Sequence, residues 1–402
     1  MAILTNSLGV GHFGAYVLVL AYVEIVNRLF NVQTWEAIIK YGSEAIEAHN
    51  PRLLAHTIKA SALIDVTSMV AATAVAWWCA PLFLRFCGLS AEILPATRVM
   101  CLSILAYLAE VSIGVFRIYG RFDLQARINI IVAASQVVLF GVIAMLRPSL
   151  DGFVYATVAA TAVGLLSKSY YLLGILDREI GIWRIALTRL NVAELKKSGL
   201  FRFVLFRNVD VSIRMISRQI DIVVLGRFFP VGVVGVYRIA VHLANVLGKL
   251  ADPLYQSMYP EVARLLASRR FNAAMRLGWR IGSYLAVASV VFYLGYAVVG
   301  RNLTTLVFGN EFAESYYVCL VYLIAVIMAF VSSPLFAFQL GFGQTRNMMN
   351  NQVLSTGLYL LVLFGLVPAL GPYGAALAYV MYYVAIVGLT LANVRRCFGE
   401  TV

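Results

Sequence analysis

The chain has 402 residues, of which 61% are hydrophobic and only 13% are charged, and its formal net charge is +13 at pH 7. This composition describes a membrane protein of many spans and leaves little chain for a soluble domain. A strongly positive net charge also occurs in nucleic-acid-binding proteins. The positions of the charged residues along the chain distinguish the two explanations.

Apolar stretches separated by turns or charged segments predict an all-α chain with eleven membrane-spanning helices. These predicted helices cover residues 14–32, 62–84, 96–116, 128–147, 153–176, 203–229, 232–258, 278–299, 315–340, 350–368 and 374–394. Lys and Arg residues concentrate in alternate loops, which the positive-inside rule assigns to the cytoplasm together with the C-terminus. The net charge is therefore explained by topology, and nucleic-acid binding is not needed to account for it.

The first predicted helix has a polar face formed by Glu24, Arg28 and Asn31, at spacings of four and three residues. A buried ion pair between Glu24 and Arg28 explains this face as well as a polar pathway does. Asp65 lies near the cytoplasmic start of the second predicted helix, where snorkelling toward the interface is expected.

Polar residues recur later in the N-terminal half. Tyr107 and Glu110 share a helix face in 96–116, and Lys168 in 153–176 is expected to snorkel toward the cytoplasm. Residues 177–202 form the longest basic stretch and predict an amphipathic helix on the cytoplasmic membrane surface. The sequence therefore predicts three parts: a five-helix N-terminal lobe at 1–176, a linker at 177–202 and a six-helix C-terminal lobe at 203–402.

The stretch 201–230 is long and apolar enough to span a bilayer, yet it contains a regular stripe of charges. The stripe consists of Arg207, Asp210, Arg214, Arg218 and Asp221. Helical geometry places these residues within an arc of about 80° on one face. One isolated charge at mid-membrane costs about 3 kcal/mol on insertion scales, so the stripe faces water or partner charges. An ion-pair ladder between packed helices is the structural alternative to a polar pathway.

The next predicted helix, 232–258, contains a second stripe with the same spacing. Its members are Arg238, His242, Asn245, Lys249 and Asp252. Two neighbouring stripes most simply face one cavity. His242 is a candidate proton site because histidine titrates near neutral pH, although a hydrogen-bonded structural histidine fits equally well. Further along, Ser332-Ser333-Pro334 predicts a kink in helix 315–340.

A short motif occurs in both halves of the chain. Leu8-Gly9 followed by Gly14-Ala15-Tyr16 matches Leu225-Gly226 followed by Gly235-Val236-Tyr237. Internal repeats of this kind are typical of transporters. In this alignment the helix at 203–229 has no counterpart, so the sequence predicts a further hydrophobic segment upstream of Met1.

Three runs in the C-terminal half, together with the repeat, carry a family resemblance. The runs are Asp221-Ile-Val-Val-Leu-Gly226, Gly235-Val-Tyr237-Arg-Ile-Ala240, and Pro253 with Tyr259-Pro260-Glu261-Val-Ala263-Arg264. Over nearly its whole length the chain resembles the polysaccharide-transporter branch of the multidrug/oligosaccharidyl-lipid/polysaccharide (MOP) exporter superfamily, the Wzx-type O-antigen or exopolysaccharide flippases. The resemblance implies two pseudo-symmetric helical lobes around a central cavity, with twelve helices of which the first is missing here.

The resemblance also implies a function: a transporter, not an enzyme, in the bacterial inner (plasma) membrane. Such a protein flips undecaprenyl-pyrophosphate-linked oligosaccharide by alternating access, for lipopolysaccharide O-antigen or exopolysaccharide assembly. The candidate pyrophosphate-binding cations are Arg28, Arg207, Arg214, Arg218, Arg238 and Lys249. The candidate residues for coupling to H⁺ or Na⁺ are Glu24, Asp210, Asp221 and His242. No cofactor, metal or nucleic acid is expected; the expected partners are membrane lipids, the lipid-linked oligosaccharide and other polysaccharide-assembly proteins.

Two other functions stay open at this stage. A multidrug exporter of the same fold would need an apolar or acidic pocket rather than one rich in arginine. A membrane polysaccharide polymerase or ligase usually has a large external loop, whereas the longest predicted external segments here have only about 15 residues. The sequence outside the predicted helices also contains no P-loop, HExxH, GxSxG or DxD motif.

Overall fold

The computed structural model describes residues 1–188, 219–268, 270–342 and 344–401, and these residues are helical with short connections and no β-strand. They divide into two compact units. One unit comprises Val19–Gln219, and the other comprises Met1–Leu18 together with Ile220–Val402. The predicted all-α fold class is confirmed for the part of the chain that the structure describes.

The described residues of the N-terminal half form nine α-helices. They are α1 (Ala2–Phe30), α2 (Thr34–Ala37), α3 (Ser43–Glu47), α4 (Pro51–Phe86), α5 (Leu94–Cys101), α6 (Val111–Ile118), α7 (Phe122–Leu146), α8 (Leu150–Glu179) and α9 (Ile182–Leu187). A π-helical turn, Ile38–Gly42, joins α2 to α3. A 3₁₀ helix, Leu102–Ala109, joins α5 to α6, so one long span changes helix type in its middle.

The described residues of the C-terminal half form seven α-helices. They are α10 (Ile220–Phe228), α11 (Val231–Ala267), α12 (Phe271–Phe308), α13 (Ser315–Val331), α14 (Ser333–Gly341), α15 (Thr345–Leu370) and α16 (Pro372–Thr401). The predicted kink is confirmed, because α13 ends at Val331 and α14 begins at Ser333 with Pro334 in its first turn. Proline lacks the N–H that would continue the hydrogen-bond ladder of the preceding helix.

Nine helical stretches among the described residues are long and apolar enough to cross a membrane. They confirm nine of the eleven predicted spans, and the protein is a multi-pass membrane protein. The tenth, 203–229, lies mostly outside the described residues. The eleventh, 232–258, lies within α11 (Val231–Ala267), which contains the shorter apolar stretch Val231–Val246.

Two boundaries differ from the prediction. Helix α1 starts at Ala2 instead of residue 14 and continues through the glycine-rich start, with a kink at Gly9 (φ 69°, ψ 172°). Residues Met1–Leu18 pack in the unit of the C-terminal half, although the sequence assigned them to the N-terminal lobe. The predicted start of the C-terminal lobe at residue 203 and most of the 177–202 linker lie outside the described residues.

The repeated glycines explain where the start of α1 packs. A Cβ atom on Gly14 would lie 2.0 Å from the carbonyl oxygen of Val231, and one on Gly235 would lie 3.1 Å from that of Val10. The start of α1 and the start of α11 therefore cross with their main chains in close approach, each helix supplying the glycine of its own motif copy. Close crossings of this kind need small residues at the contact.

Exposed apolar side chains distinguish the helices suited to face lipid. In α7, Ile130, Val137 and Met145 are 68%, 61% and 89% exposed. In α12, Val291 and Val298 are 65% and 81% exposed. Because lipid tails are as apolar as these side chains, such faces are stable in a bilayer.

Candidate functional site

Asp221 in α10 is a buried carboxylate with two hydrogen bonds. Its side chain is only 4% exposed. Its Oδ2 accepts a 2.6 Å hydrogen bond from the Tyr237 hydroxyl, and its Oδ1 accepts one of 2.9 Å from the backbone N–H of Ile222. Hydrogen bonds of this number and length compensate part of the cost of burying a carboxylate. Asp221, one of the predicted ion-coupling residues, is thus a buried acid that is hydrogen-bonded to a tyrosine.

Tyrosine rings from four helices, α11, α13, α15 and α16, form a cluster near this carboxylate. The rings of Tyr322 and Tyr379 stack with centroids 4.6 Å apart, and Tyr237 meets Tyr322 edge-on at 6.3 Å. The Asp221 carboxylate acts electrostatically on Tyr322 and on the fully buried Tyr359. Within the described residues the Tyr359 hydroxyl has no hydrogen-bond partner. Sequence reasoning missed this cluster, because its members lie far apart in the chain and tyrosines in spans are common interfacial anchors.

The second stripe lies on the accessible face of α11. His242, Asn245 and Lys249 are exposed, and Arg238 is half-buried. The opposite face, represented by Val236 and Ala240, is buried. The two cations Arg238 and Lys249 both act on His242, so three of the predicted residues lie within one electrostatic neighbourhood. The side chain of the last stripe member, Asp252, is outside the described residues.

The first stripe is described only at its last member. Arg207, Asp210, Arg214 and Arg218 lie outside the described residues, and their roles remain sequence predictions. Only Asp221 from this stripe is described, as the buried acid above.

Glu24 and Arg28 lie in the unit Val19–Gln219, both half-buried on α1. Glu24 Oε2 accepts a hydrogen bond from the side-chain amide of Gln219. The charges of Glu24, Arg28 and Glu110 all act on the Tyr107 hydroxyl of the 3₁₀ segment. The polar face predicted for the first helix therefore faces polar groups of a second helix.

Lys168 in α8 forms an ion pair with Glu110, with Nζ 3.3 Å from Oε1. The two side chains are only 15% and 11% exposed, and Lys168 Nζ lies 5.9 Å from the centre of the Tyr107 ring. The expectation that Lys168 snorkels toward the cytoplasm is therefore wrong. A lysine extends to the interface only when no anion is within reach inside the protein, and here α8 packs against the segment that carries Glu110.

Asp65 in α4 is also buried, at 3% exposure, so the snorkelling predicted for it is wrong as well. Its Oδ1 accepts a 2.6 Å hydrogen bond from the Thr34 hydroxyl, and its Oδ2 accepts one of 3.1 Å from the backbone N–H of Val111. Glu110 and Lys168 both act on it electrostatically. Helix α4 begins at Pro51, well before the predicted start at residue 62, so Asp65 lies inside the helix and not at its end.

The buried acids described above are paired with hydrogen-bond donors or with a cation. In the part of the chain that the structure describes, no group of three or more His, Cys, Asp or Glu side chains is arranged to hold a metal ion. The arrangement instead offers half-buried cations beside buried acids.

Comparison with known proteins supports the fold. No protein-family model matches the chain. The inner membrane protein YghQ of Escherichia coli (strain K12) is 26% identical over 322 residues, which cover 76% of this chain and 85% of that protein.

Solved structures of transporters share the architecture. An inward-facing multidrug resistance MATE family transporter of the MOP superfamily superposes with a TM-score of 0.82 at 13% identity, covering 100% of this chain and 94% of that one. The lipid II flippase MurJ in an inward closed conformation gives a TM-score of 0.71 at 13% identity, covering 98% and 85%. A mutant of the Vibrio cholerae MATE transporter VcmN gives 0.63 at 13% identity, covering 99% and 95%. The chain has the fold of these transporters.

Proposed function

We propose that this protein is a flippase that moves undecaprenyl-pyrophosphate-linked oligosaccharide from the cytoplasmic to the external leaflet of the bacterial inner membrane. The observation that carries the proposal is the pair of cations on the accessible face of α11. Arg238 and Lys249 both act electrostatically on His242, and the opposite face of the helix is buried. One protein that shares this fold is named a lipid II flippase, and a flippase for a lipid supports the proposed substrate class.

The chemistry of the substrate explains why cations on an accessible face matter. A pyrophosphate cannot enter an apolar site without counter-charges, because burying an unpaired charge costs several kcal/mol or more. Arginine suits phosphate oxygens because its planar fork binds two of them at once, whereas lysine acts as a point charge. We assign this role to Arg28, Arg238 and Lys249, and to Arg207, Arg214 and Arg218 on the sequence evidence.

We assign ion coupling to the acids and the histidine beside these cations. For Asp221 the assignment is supported by its burial and its two hydrogen bonds. For Glu24 it is supported by the hydrogen bond from the side-chain amide of Gln219. Asp210 and His242 complete the set. Uptake of H⁺ or Na⁺ at these groups would change the charge of the helices that bind the substrate. In this proposal the C-terminus lies in the cytoplasm, as the distribution of Lys and Arg predicts.

A multidrug exporter is the second candidate, because the MATE family transporter superposes with a TM-score of 0.82 over the full chain. The two candidates differ in the charge of the cavity that they need. An exporter of cationic drugs requires acids or apolar surface at the binding site, whereas the accessible residues of the α11 stripe are basic or neutral.

The test reconstitutes the purified protein in proteoliposomes with a fluorescent undecaprenyl-pyrophosphate-linked oligosaccharide in one arm and ethidium in the other. We expect flipping of the lipid, its loss in Arg238→Gln and in Lys249→Gln, and no ethidium transport. The matched control is Arg264→Gln, because Arg264 lies on the same helix but is 74% exposed and pairs only with Glu261 in the described residues. Transport of ethidium without flipping of the lipid would refute the flippase and favour the exporter.

A further inference from the structure

Asp65 connects three segments of the unit Val19–Gln219. It lies on α4, it accepts from Thr34, the first residue of α2 after the end of α1, and it accepts from the backbone of Val111, the first residue of α6. The second contact falls where the 3₁₀ segment Leu102–Ala109 changes to α-helix. A change of helix type inside a span often marks a hinge. The carboxylate therefore joins a helix end and a helix discontinuity.

The charges around Asp65 do not balance when every group is ionised. Glu110 and Lys168 form an ion pair at 3.3 Å and both act on Asp65. Among the described residues no cation lies within 4.0 Å of the Asp65 carboxylate itself. Two acids and one base leave one negative charge in a buried place. Gaining one proton removes this uncompensated charge, whose burial costs free energy.

The hydrogen-bond partners of Asp65 can accommodate that proton. The backbone N–H of Val111 can only donate, so Oδ2 must remain an acceptor in either state. The Thr34 hydroxyl can donate or accept. A proton on Oδ1 would therefore be donated to the Thr34 oxygen, after the hydroxyl rotates, while the bond from Val111 to Oδ2 persists. Both contacts survive, but the direction of one reverses and the charge of the group changes from −1 to neutral.

We propose that Asp65 is a proton-binding site in the N-terminal unit, and that its protonation is a step of the transport cycle. The second part rests on the proposed transport function. The proton comes from water and returns to it, so no other reactant is needed. When Asp65 is ionised, the α2 start and the α6 start are both held by a charge-assisted hydrogen bond; when it is neutral, both bonds weaken and the helix discontinuity is freed to move.

The charged groups facing this site come from three elements. Glu110 lies at the junction between the 3₁₀ segment and α6, and Lys168 lies on α8. Glu24 and Arg28 on α1 act on Tyr107, the residue one helical turn before Glu110. Glu110, which acts on Asp65, therefore shares the neighbour Tyr107 with the proposed substrate-binding residue Arg28.

Infrared difference spectroscopy of the full-length protein in lipid nanodiscs tests the proton site directly. Acidification from about pH 8 to about pH 5 covers the range in which a physiological proton site must titrate. We expect a carboxylic C=O band to appear on acidification, to vanish in Asp65→Asn and to persist in Glu110→Gln. In Thr34→Val the same band should shift in frequency, because its hydrogen-bond partner is lost. This variant identifies the band even where Asp65→Asn does not fold.

The transport part is tested with the fluorescent lipid in proteoliposomes. Asparagine reproduces the neutral hydrogen-bond pattern, since its amide oxygen accepts from Val111 and its NH₂ donates to Thr34. Asp65→Asn should therefore fold, yet lose the pH dependence of the flipping rate. A wild-type rate with wild-type pH dependence in this variant, or a spectrum without any band from Asp65, would overturn the proposal. If the wild type flips no lipid while the Asp65 band titrates, the proton site stands and the lipid substrate is refuted.

Discussion

Replacing Gly14 by alanine is expected to disrupt the crossing of α1 and α11. The new Cβ would lie 2.0 Å from the carbonyl oxygen of Val231 and 2.7 Å from its carbonyl carbon. An ordinary contact between carbon and oxygen is about 3.3 Å, so the two helices must separate by about 1 Å. The obstacle is main chain, and rotation of a side chain cannot relieve it.

The cost follows from two opposing effects. Overpacking of a tight contact typically costs about 1–3 kcal/mol, and a main-chain clash belongs at the upper end of that range. Alanine recovers about 1 kcal/mol of helix propensity relative to glycine. The net expectation for Gly14→Ala is a loss of about 2 kcal/mol.

Gly11→Ala is the matched control, three residues earlier on the same helix. A Cβ at Gly11 would meet nothing within 4 Å, so this variant keeps only the propensity gain of about 0.5–1 kcal/mol. The assay heats each detergent-solubilised variant and records the temperature at which half of the protein remains monodisperse on size-exclusion chromatography. We expect Gly14→Ala to fall below the wild type and Gly11→Ala to equal or exceed it. A Gly14→Ala protein as heat-resistant as the Gly11→Ala protein would show that the helices do not cross as closely as described.

Three further changes test the polar interior. Lys168→Met leaves Glu110 buried without its cation and should cost about 3–5 kcal/mol; the double variant with Glu110→Gln should recover much of this in the same heating assay, and no recovery would refute the buried pair. Tyr237→Phe removes the 2.6 Å hydrogen bond to Asp221 and should cost about 1.5–3 kcal/mol, as bonds to charged groups do, whereas unchanged heat resistance would contradict that bond. Arg218→Gln combined with Asp221→Asn should give a stable protein that does not flip the fluorescent lipid. A double variant that recovers both stability and flipping would favour the ion-pair ladder over the pathway.

Local properties of the chain determined much of the architecture. Each span is a run of consecutive apolar residues and can therefore be recognised from the sequence alone. For this reason nine predicted spans recur among the described helices. The break before Pro334 follows from a missing backbone donor. The periodicity of the α11 stripe likewise predicted which residues share a face, since helical geometry fixes their angles. Errors occurred where helices extend beyond their apolar windows, as in α1 and α4.

Only the tertiary structure decided which polar groups meet. Asp65 accepts from residues 31 and 46 positions away in the chain, and Lys168 pairs with an acid 58 positions away. No spacing rule relates such residues, because their distance depends on how whole helices pack. The sequence alone therefore favoured snorkelling for both, the solution available to a single helix in a membrane. Packing against neighbouring helices gave each side chain a partner inside the protein. Each side chain is therefore buried with its partner instead of extending to the water at the membrane surface.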